Sequence, residues 1–237
     1  MKSKYWAKNK YSTVDPLNYE TARFQTNAGK LIDEAEKKAV LNLLLNSGID
    51  FQKELKILDA ATGPGRLAFY LQDNFRKAKI TGMDINENML ERARDIARGK
   101  KSNINFIKGD IYHLPFQKAQ FDAVVGLRFS MHLPDINKIF QEFSRIIKND
   151  GILIFDIFNL NSVLRFRDSG YYTINELKQI ARKSNFNFQE YKGIILLGET
   201  VIRRCPDKLL SFVYNMVESP KWLARISTKL VLAFKKL

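Results

Sequence analysis

Residues 56–66, KILDAATGPGR, constrain the fold of this chain more than any other stretch. A short apolar run leads into Asp59, and the chain then turns through Gly63 and Gly65. From Arg66 onwards the apolar residues have the spacing of a helix. The order of strand, glycine turn and helix opens the nucleotide-binding α/β domains, in which glycine lets the backbone turn sharply and lets a ligand come close.

Asp59 narrows the class of ligand. Gly63, Gly65 and Ala68 fit a loose form of the dinucleotide pattern, but a carboxylate four residues before Gly63 would repel a pyrophosphate over this turn. It suits a cationic ligand such as S-adenosylmethionine, which carries an ammonium and a sulfonium. The stretch resembles motif I of the class I S-adenosylmethionine-dependent methyltransferases, with Ala61 in place of the usual first glycine. The resemblance implies a doubly wound, mostly parallel α/β sheet of the Rossmann-like methyltransferase fold, with S-adenosylmethionine as the cofactor.

A second motif lies at the end of the strand predicted over residues 78–83. Asp84 follows Gly65 by 19 residues, close to the roughly 20-residue interval at which an acidic residue binds ribose hydroxyls. Its two carboxylate oxygens can accept hydrogen bonds from both hydroxyls of a diol. The alternative is a loop aspartate that caps the next helix. Ile85 is a candidate for one face of the adenine.

A third motif follows the strand predicted over residues 103–107. The family's Gly-Asp pair is present, and the resemblance implies that Asp110 accepts a hydrogen bond from the adenine amino group while Ile111 covers the base. The alternative is an ordinary turn, because Gly-Asp is common in loops.

The apolar run over residues 121–127 indicates a buried parallel strand. We include Leu127, its last residue, among the cofactor contacts. Asp122 occupies the other end, so we interpret it as structural, since ligands of such sheets bind at the carboxyl ends of the strands.

Residues 128–133 should face the reaction centre, and they resemble a stretch of small-molecule methyltransferases that often has two histidines. Here only His132 remains. It is a candidate general base, because its ordinary pKa lies near neutrality; the alternative is a structural role at the start of the next helix. Asp156 and Asn159, at the end of a strand predicted over 151–157, point to the same crevice or cap a helix.

The two ends of the chain are predicted as additions to a domain over residues 31–200. Residues 1–30 form an arm or lid, in which Tyr19 and Arg23 lie one helical turn apart; the resemblance implies an arginine that binds the cofactor's carboxylate, and the alternative is two surface residues. Residues 201–237 are predicted as basic amphipathic helices, with Lys221, Arg225 and Lys229 at four-residue spacing. Such helices lie on membranes, or dock on their own domain or on a second subunit of a homodimer.

The edge of the sheet is the least determined part of the fold. Residues 186–191 are predicted as the sixth strand. The family's seventh strand is not evident, and residues 195–202 are the one candidate.

Composition adds limits on size and compartment. The 237 residues suffice for one α/β domain with additions. A single cysteine, Cys205, allows no internal disulfide and fits a reducing compartment. The N-terminus lacks the apolar core of a signal peptide. We therefore expect a cytoplasmic protein, which is peripheral at a membrane if the C-terminal helices bind lipid. The net charge of +14 favours anionic partners, nucleic acid or a membrane surface, without choosing between them.

The favoured function is methylation of a small-molecule or lipid-linked acceptor. An RNA or protein methyltransferase is favoured only by the charge, and the sequence GLRFSM replaces the (D/N/S)PP(Y/F) of enzymes that methylate exocyclic amines of bases. A non-catalytic cofactor binder remains open. Asp59 and the lack of a Tyr-x-x-x-Lys pair weigh against an NAD-dependent oxidoreductase.

Overall fold

The computed structural model describes residues 13–162, 171–195 and 221–237. Seven strands form one sheet in the order β3-β2-β1-β4-β5-β8-β7, and a two-residue strand, β6, pairs with the end of β5. The strands are β1 (Lys56–Ala60), β2 (Lys79–Asp84), β3 (Asn105–Lys108), β4 (Phe121–Gly126), β5 (Ile147–Asn159), β6 (Tyr171–Tyr172), β7 (Phe186–Ile195) and β8 (Lys229–Lys236).

Helices cover both faces of the sheet, and each face has its own apolar cluster. Several helices begin at the polar caps that the sequence supplies, such as Thr26 and Asn86, whose side chains accept hydrogen bonds from first-turn N–H groups. The helices described are α1 (Pro16–Phe24), α2 (Asn27–Leu45), α3 (Arg66–Asn74), α4 (Glu87–Lys100), α5 (Ile136–Ile146), α6 (Ile174–Lys183) and α7 (Lys221–Ile226).

Strands β1 to β5 are mutually parallel, and the direction of winding reverses between β1 and β4. In open α/β sheets, ligands bind in the crevice that this reversal leaves at the carboxyl ends of the strands. The predicted doubly wound, mostly parallel fold is therefore confirmed, and its crevice lies where the glycine turn after β1 meets the loop after β4.

The predicted C-terminal helix is wrong over residues 229–236, which form β8, antiparallel to both β5 and β7. Every residue from Lys229 to Phe234 is buried, so the run has neither a helical nor an alternating period, and its length of eight fits a buried strand. β8 is the seventh strand that the sequence left open. Of the candidate at 195–202, Ile195 ends β7 and the rest lies outside the described residues, as does Cys205.

The direction of β8 matters for the site. Because the strand is antiparallel, its first residue, Lys229, pairs with Phe158 near the carboxyl end of β5. The segment between α7 and β8 therefore reaches the edge of the sheet at which the crevice lies. In the described part of the chain, no helix has the length and apolar character needed to span a bilayer.

Candidate functional site

A cavity of about 380 Å³ opens at the carboxyl edge of the sheet, a size typical of small-molecule sites, at roughly 300–1,000 Å³. Asp59 and Gly65 are absent from its lining, whereas the other ten predicted site residues contribute to it. These are Tyr19, Arg23, Ala61, Gly63, Asp84, Ile85, Asp110, Ile111, Leu127 and His132. We call the part over the ends of β1, β2 and β3 the β1–β3 side, and the part over β4, β5 and β8 the β4–β8 side.

The glycine turn is tied to the ends of β1 and β2. The Gly63 N–H donates to Asp84 Oδ2 at 2.7 Å, and the Thr62 N–H donates to the Met83 carbonyl at 2.9 Å. The Thr62 hydroxyl donates to Asp59 Oδ2 at 2.6 Å. The turn and the second motif thus form one hydrogen-bonded unit.

The two glycines of the turn have different surroundings, although both have positive φ, +54° at Gly63 and +86° at Gly65. A Cβ on Gly63 would meet no atom within 4 Å, whereas one on Gly65 would lie 2.8 Å from the Phe69 ring and 3.1 Å from Phe106. Gly63 therefore leaves room for a ligand. Gly65 permits close packing beneath the turn.

Asp59 lies beneath the turn and is 1% exposed. Burial raises the pKa of its carboxyl to about 7, against the lowering effect of the Thr62 hydrogen bond, and the nearby Asp84 charge adds to the rise. Both the ionised and the neutral form of Asp59 are therefore populated at neutral pH. Any effect of its charge on a ligand is exerted through the turn and not by direct contact.

Asp84 lines the cavity and accepts backbone hydrogen bonds on both carboxylate oxygens. Oδ1 accepts from the Asn86 N–H at 2.9 Å, and Oδ2 accepts from Gly63. Burial raises the pKa of Asp84, and these backbone hydrogen bonds counteract it. The helix cap is the Asn86 side chain, so the capping alternative for Asp84 is wrong. A carboxylate oxygen can accept a second hydrogen bond, which leaves acceptor capacity for a ligand.

The β4–β8 side is built on a buried cluster of four charges that the sequence analysis did not predict: Glu36, Arg128, Asp156 and Lys229. The Glu36 carboxylate accepts from Arg128 Nε at 2.9 and 3.1 Å and from Lys229 Nζ at 2.5 Å. Lys229 Nζ also lies 2.5 Å from Asp156 Oδ2. Burial alone would raise the pKa of Glu36, but Lys229 and Arg128 outweigh it, so the pKa is lowered and Glu36 is ionised.

The prediction that Lys229 belongs to an exposed basic stripe is wrong, since the residue is 4% exposed. A stripe at four-residue spacing requires one continuous helix, whereas α7 ends at Ile226. Of the other two members, Arg225 is exposed, and the side chain of Lys221 lies outside the described atoms.

Asp156 holds the loop that follows β4. Its Oδ1 accepts from the Arg128 N–H at 2.7 Å, and its carbonyl accepts from the Ser130 hydroxyl. Arg128 has a φ of +63°, a conformation that is uncommon for a non-glycine residue. Asp156 is fully buried and lies behind the lining, so it positions this loop.

Asn159 positions the turn before β8. Its Nδ2 donates to the carbonyls of Arg225 and Ser227, both at 2.9 Å, and its N–H donates to the Thr228 carbonyl at 2.9 Å. Thr228 and Lys229 line the cavity as a result. The two polar residues at the end of β5 were predicted to point to the crevice, and both act instead on the segments that border it.

Both histidines of the chain line the cavity. His132 ends a short 3₁₀ turn, Ser130–His132, after β4. His113 was not predicted; its Nε2 lies 2.9 Å from Lys138 Nζ, and because a lysine only donates, this nitrogen accepts. The available signal for His113 was its position three residues after Asp110, in the same loop.

Helix α1 covers the cavity with Tyr19 and Arg23. Its Glu20 pairs with Arg92 on α4 at 3.2 Å. The turn into α2 is tight, because a Cβ on Gly29 would lie 2.2 Å from the Arg23 carbonyl oxygen. Helix α1 therefore lies over the cavity. Residues 1–12 lie outside the described part, so the lid over residues 1–30 stays a prediction.

A model of a methyltransferase domain family matches residues 51–214 of the chain. Among curated proteins, the chain is 33% identical over 141 residues to a demethylmenaquinone methyltransferase from Thermotoga maritima, covering 54% of this chain and 60% of that protein. It is 32% identical over 119 residues to a malonyl-[acyl-carrier protein] O-methyltransferase from Geobacter sulfurreducens, covering 50% and 43%. The chain thus spans less than two thirds of the length of either relative.

Among solved structures, the chain is similar to that of an S-adenosylmethionine-dependent methyltransferase from Thermotoga maritima. The TM-score is 0.66 at 21% identity, and the match covers 98% of this chain and all of the other. At this identity the likeness shows a shared fold.

Proposed function

The chain belongs to this methyltransferase domain family, and from that premise we propose that it transfers a methyl group from S-adenosylmethionine to a small-molecule or lipid-linked acceptor. The observation that carries the proposal is the arrangement of the β1–β3 side. Gly63 leaves open space at the turn, and its N–H fixes the Asp84 carboxylate by a hydrogen bond to Oδ2 at 2.7 Å. Asp110 lines the same cavity.

The residues of this side fit the cofactor chemically. Asp84 offers acceptors for the ribose hydroxyls, and Asp110 offers one for the adenine amino group. Ile85 and Ile111 supply apolar surface for the two faces of the base. On this assignment Gly63 and Ala61 allow the close approach of the cofactor's amino-acid end. Leu127 provides a further contact with the cofactor.

The lid completes the binding site. Arg23 supplies a cation for the cofactor's carboxylate, and Tyr19 covers the cavity beside it. Asp59 has a smaller role than the sequence suggested, because it lies beneath the turn. Gly65 has a packing role.

When bound, S-adenosylmethionine supplies a methyl group on a positively charged sulfur. The chain's contribution is to align the acceptor with that group and to exclude water, which favours a step in which charge disappears. Tyr19 above and Phe129, Met131 and Leu133 along the β4–β8 side enclose the space. His132 is the candidate to take a proton from the acceptor where the reaction releases one.

An apolar acceptor, small or lipid-linked, fits the aromatic and aliphatic walls of this side. The names of the two curated relatives point the same way, one acting on a quinone and one on an acyl group held by a carrier protein. The net charge of +14 is the observation in favour of RNA, and it is tested by the second experiment below.

Titration calorimetry tests the cofactor. The full chain is titrated with S-adenosylmethionine, S-adenosylhomocysteine and NAD, and we expect binding of the first two. The matched variant Asp84→Ala should bind both more weakly. Tight binding of NAD with no response to the methyl donor would contradict the assignment.

Label transfer tests the acceptor class. The chain is incubated with methyl-labelled S-adenosylmethionine and, separately, with a lipid extract, a small-metabolite extract, total RNA and total protein. We expect label in the lipid or metabolite fraction. Label in RNA or protein alone would identify the alternative enzyme class, and cofactor binding without any transfer would indicate a binder.

A further inference from the structure

The four-charge cluster lies on the β4–β8 side, away from the residues assigned to the adenosine. Its members come from four separate elements: Glu36 from α2, Arg128 from the loop after β4, Asp156 from β5 and Lys229 from β8. Three of them, Glu36, Arg128 and Lys229, line the cavity. A charged floor thus underlies an otherwise apolar part of the site.

The accessible surface of this cluster is cationic. The side chains of Glu36 and Asp156 are 0% exposed, whereas that of Arg128 is 11% exposed and that of Lys229 is 5% exposed. The two carboxylates therefore expose no side-chain surface to solvent, although Glu36 borders the cavity, and they hold the two cations in place. Fixed charges of this kind bind a complementary group without reorganising, and they do so in a site with little water.

The surroundings define the rest of the ligand. The rest of the lining on this side is largely apolar, and Thr228 and His132 are its polar members. The apolar members are Ile32, Phe129, Met131, Leu133 and Phe158. A ligand that fits this side has an apolar body and one polar, negatively charged end.

We propose that Arg128 and Lys229 bind an oxyanion of the methyl acceptor, a carboxylate or an ionised phenol or enol hydroxyl. Glu36 and Asp156 are positioning residues that hold these two cations. The inference rests on the proposed function, since it assigns the acceptor to the same cavity. It narrows the acceptor to apolar molecules with one acidic group.

Naphthalene probes of similar size test this assignment. The full chain, saturated with S-adenosylhomocysteine, is titrated with 2-naphthoate, 2-naphthol and the neutral 2-naphthalenemethanol, across a pH range over which the naphthol ionises. We expect 2-naphthoate, or 2-naphthol as it ionises, to bind about tenfold tighter than the neutral alcohol, as for a hydrogen bond to a charged group. If only 2-naphthoate binds tightly, the acidic group of the acceptor is a carboxylate. If 2-naphthol binds more tightly once it is ionised, the group is an ionised hydroxyl.

Three variants separate recognition from folding. Lys229→Gln should abolish the preference for the anionic probe, whereas Lys229→Arg should retain most of it. Glu36→Gln should strengthen the preference, because it leaves the two cations in excess; a purely structural cluster would weaken binding in the same direction in every variant. The matched control is Lys236→Gln, at the other end of β8, where the buried Nζ donates to the Ile147 carbonyl at 2.8 Å; the preference should be unchanged.

Binding of S-adenosylhomocysteine is measured first in each variant, so that the two proposals fail separately. If the wild-type chain does not bind S-adenosylhomocysteine, the proposed function is contradicted. Normal binding together with equal affinity for all three naphthalene probes overturns the oxyanion assignment alone. If Lys229→Gln does not fold, Glu36→Gln decides by itself: an unchanged or weaker preference for the anionic probe in a variant that still binds S-adenosylhomocysteine also overturns it.

Discussion

The two sides of the cavity are held together by contacts of different range along the chain. On the β1–β3 side, the bond between Gly63 and Asp84 joins residues 21 positions apart, and Asp59 and Thr62 are three apart. On the β4–β8 side, Glu36 and Lys229 are 193 positions apart. The first side is a set of loops that follow neighbouring strands. The second exists only when α2 and β8 have come together.

This difference implies different tolerance to change. Contacts within adjacent βα units involve only neighbouring segments of the chain, whereas a cluster shared by α2, β5 and β8 depends on the complete sheet. The following experiments test how independent the two sides are.

Removal of β8 should have the largest effect. Truncation after Pro206 leaves β5 and β7 without their common neighbour and removes Phe234, whose ring packs 5.2 Å from Phe140 and 5.7 Å from Phe155. We expect the truncated chain to lose cooperative unfolding. The packing and hydrogen bonds that it lacks should contribute more than the roughly 5–15 kcal/mol by which a typical domain is stable against unfolding. Circular dichroism during heating measures it. A truncated chain that unfolds cooperatively and still binds S-adenosylhomocysteine would mean that the β1–β3 side is self-sufficient.

Asp59 should make stability depend on pH. Its folded pKa of about 7 lies above the ordinary value of 3.8, so its contribution to stability is full below about pH 4 and is lost as the pH rises through 7. Asp59→Asn keeps an acceptor for Thr62 and should remove part of this dependence, about 4 kcal/mol at most. The pKa of Asp84 is also raised by burial. Asp84 should therefore account for the pH dependence that remains in the variant.

Urea unfolding of wild type and Asp59→Asn between pH 4.5 and about 8 measures the difference. Parallel curves for the two proteins would show that Asp59 is ionised in the folded state throughout, and that its burial has little energetic consequence.

The two glycines of the turn offer a matched pair. Gly65→Ala combines a left-handed backbone with a Cβ 2.8 Å from Phe69, and should cost about 2–4 kcal/mol of stability. Gly63→Ala has the strain without the clash, at about 1–2 kcal/mol, but its Cβ enters the space assigned to the cofactor. We therefore expect Gly65→Ala to have the lower unfolding midpoint and Gly63→Ala, where folded, the weaker cofactor binding. The reverse order would exchange the roles given to the two positions.

Asp84 and Asp122 contrast the two edges of the sheet. Asp84→Ala should weaken cofactor binding by about 1.5–3 kcal/mol, the range for hydrogen bonds to charged groups. Asp122 accepts from the Lys56 N–H at 2.8 Å and from Lys148 Nζ at 2.7 Å, outside the cavity lining. Asp122→Asn should lower stability and leave affinity nearly unchanged. Calorimetry measures cofactor binding by both folded variants. Equal losses of affinity would show that the crevice is not at the Asp84 end of the sheet.

The sequence predicted the fold and the β1–β3 side because each motif there is local. Glycine spacing and acidic strand ends describe a turn and its neighbours, and ten of the twelve predicted residues line the cavity. Spacing along the sequence carries no information on depth. The sequence therefore could not show that Asp59 and Gly65 lie beneath the cavity and not in its lining. The pairing of Glu36 with Lys229 has no local pattern. β8 was missed for a related reason, since a run buried on both faces shows no period.

The smallest expected effect concerns the exposed surface near α7. The predicted membrane contact relied on three basic residues, and with Lys229 buried, Arg225 is the one whose exposure the structure describes. If α7 meets anionic lipid, Arg225→Ala should weaken binding to phosphatidylserine vesicles by about 1 kcal/mol, roughly fivefold. Lys53→Ala, at a side chain 77% exposed in the segment before β1, is the matched control, because it removes the same charge elsewhere. Co-sedimentation with vesicles and filter binding to total RNA are run in parallel at several salt concentrations. Equal losses in the two variants would show that lipid attraction comes from the overall charge, and RNA retention with a steep salt dependence would favour a nucleic-acid surface instead.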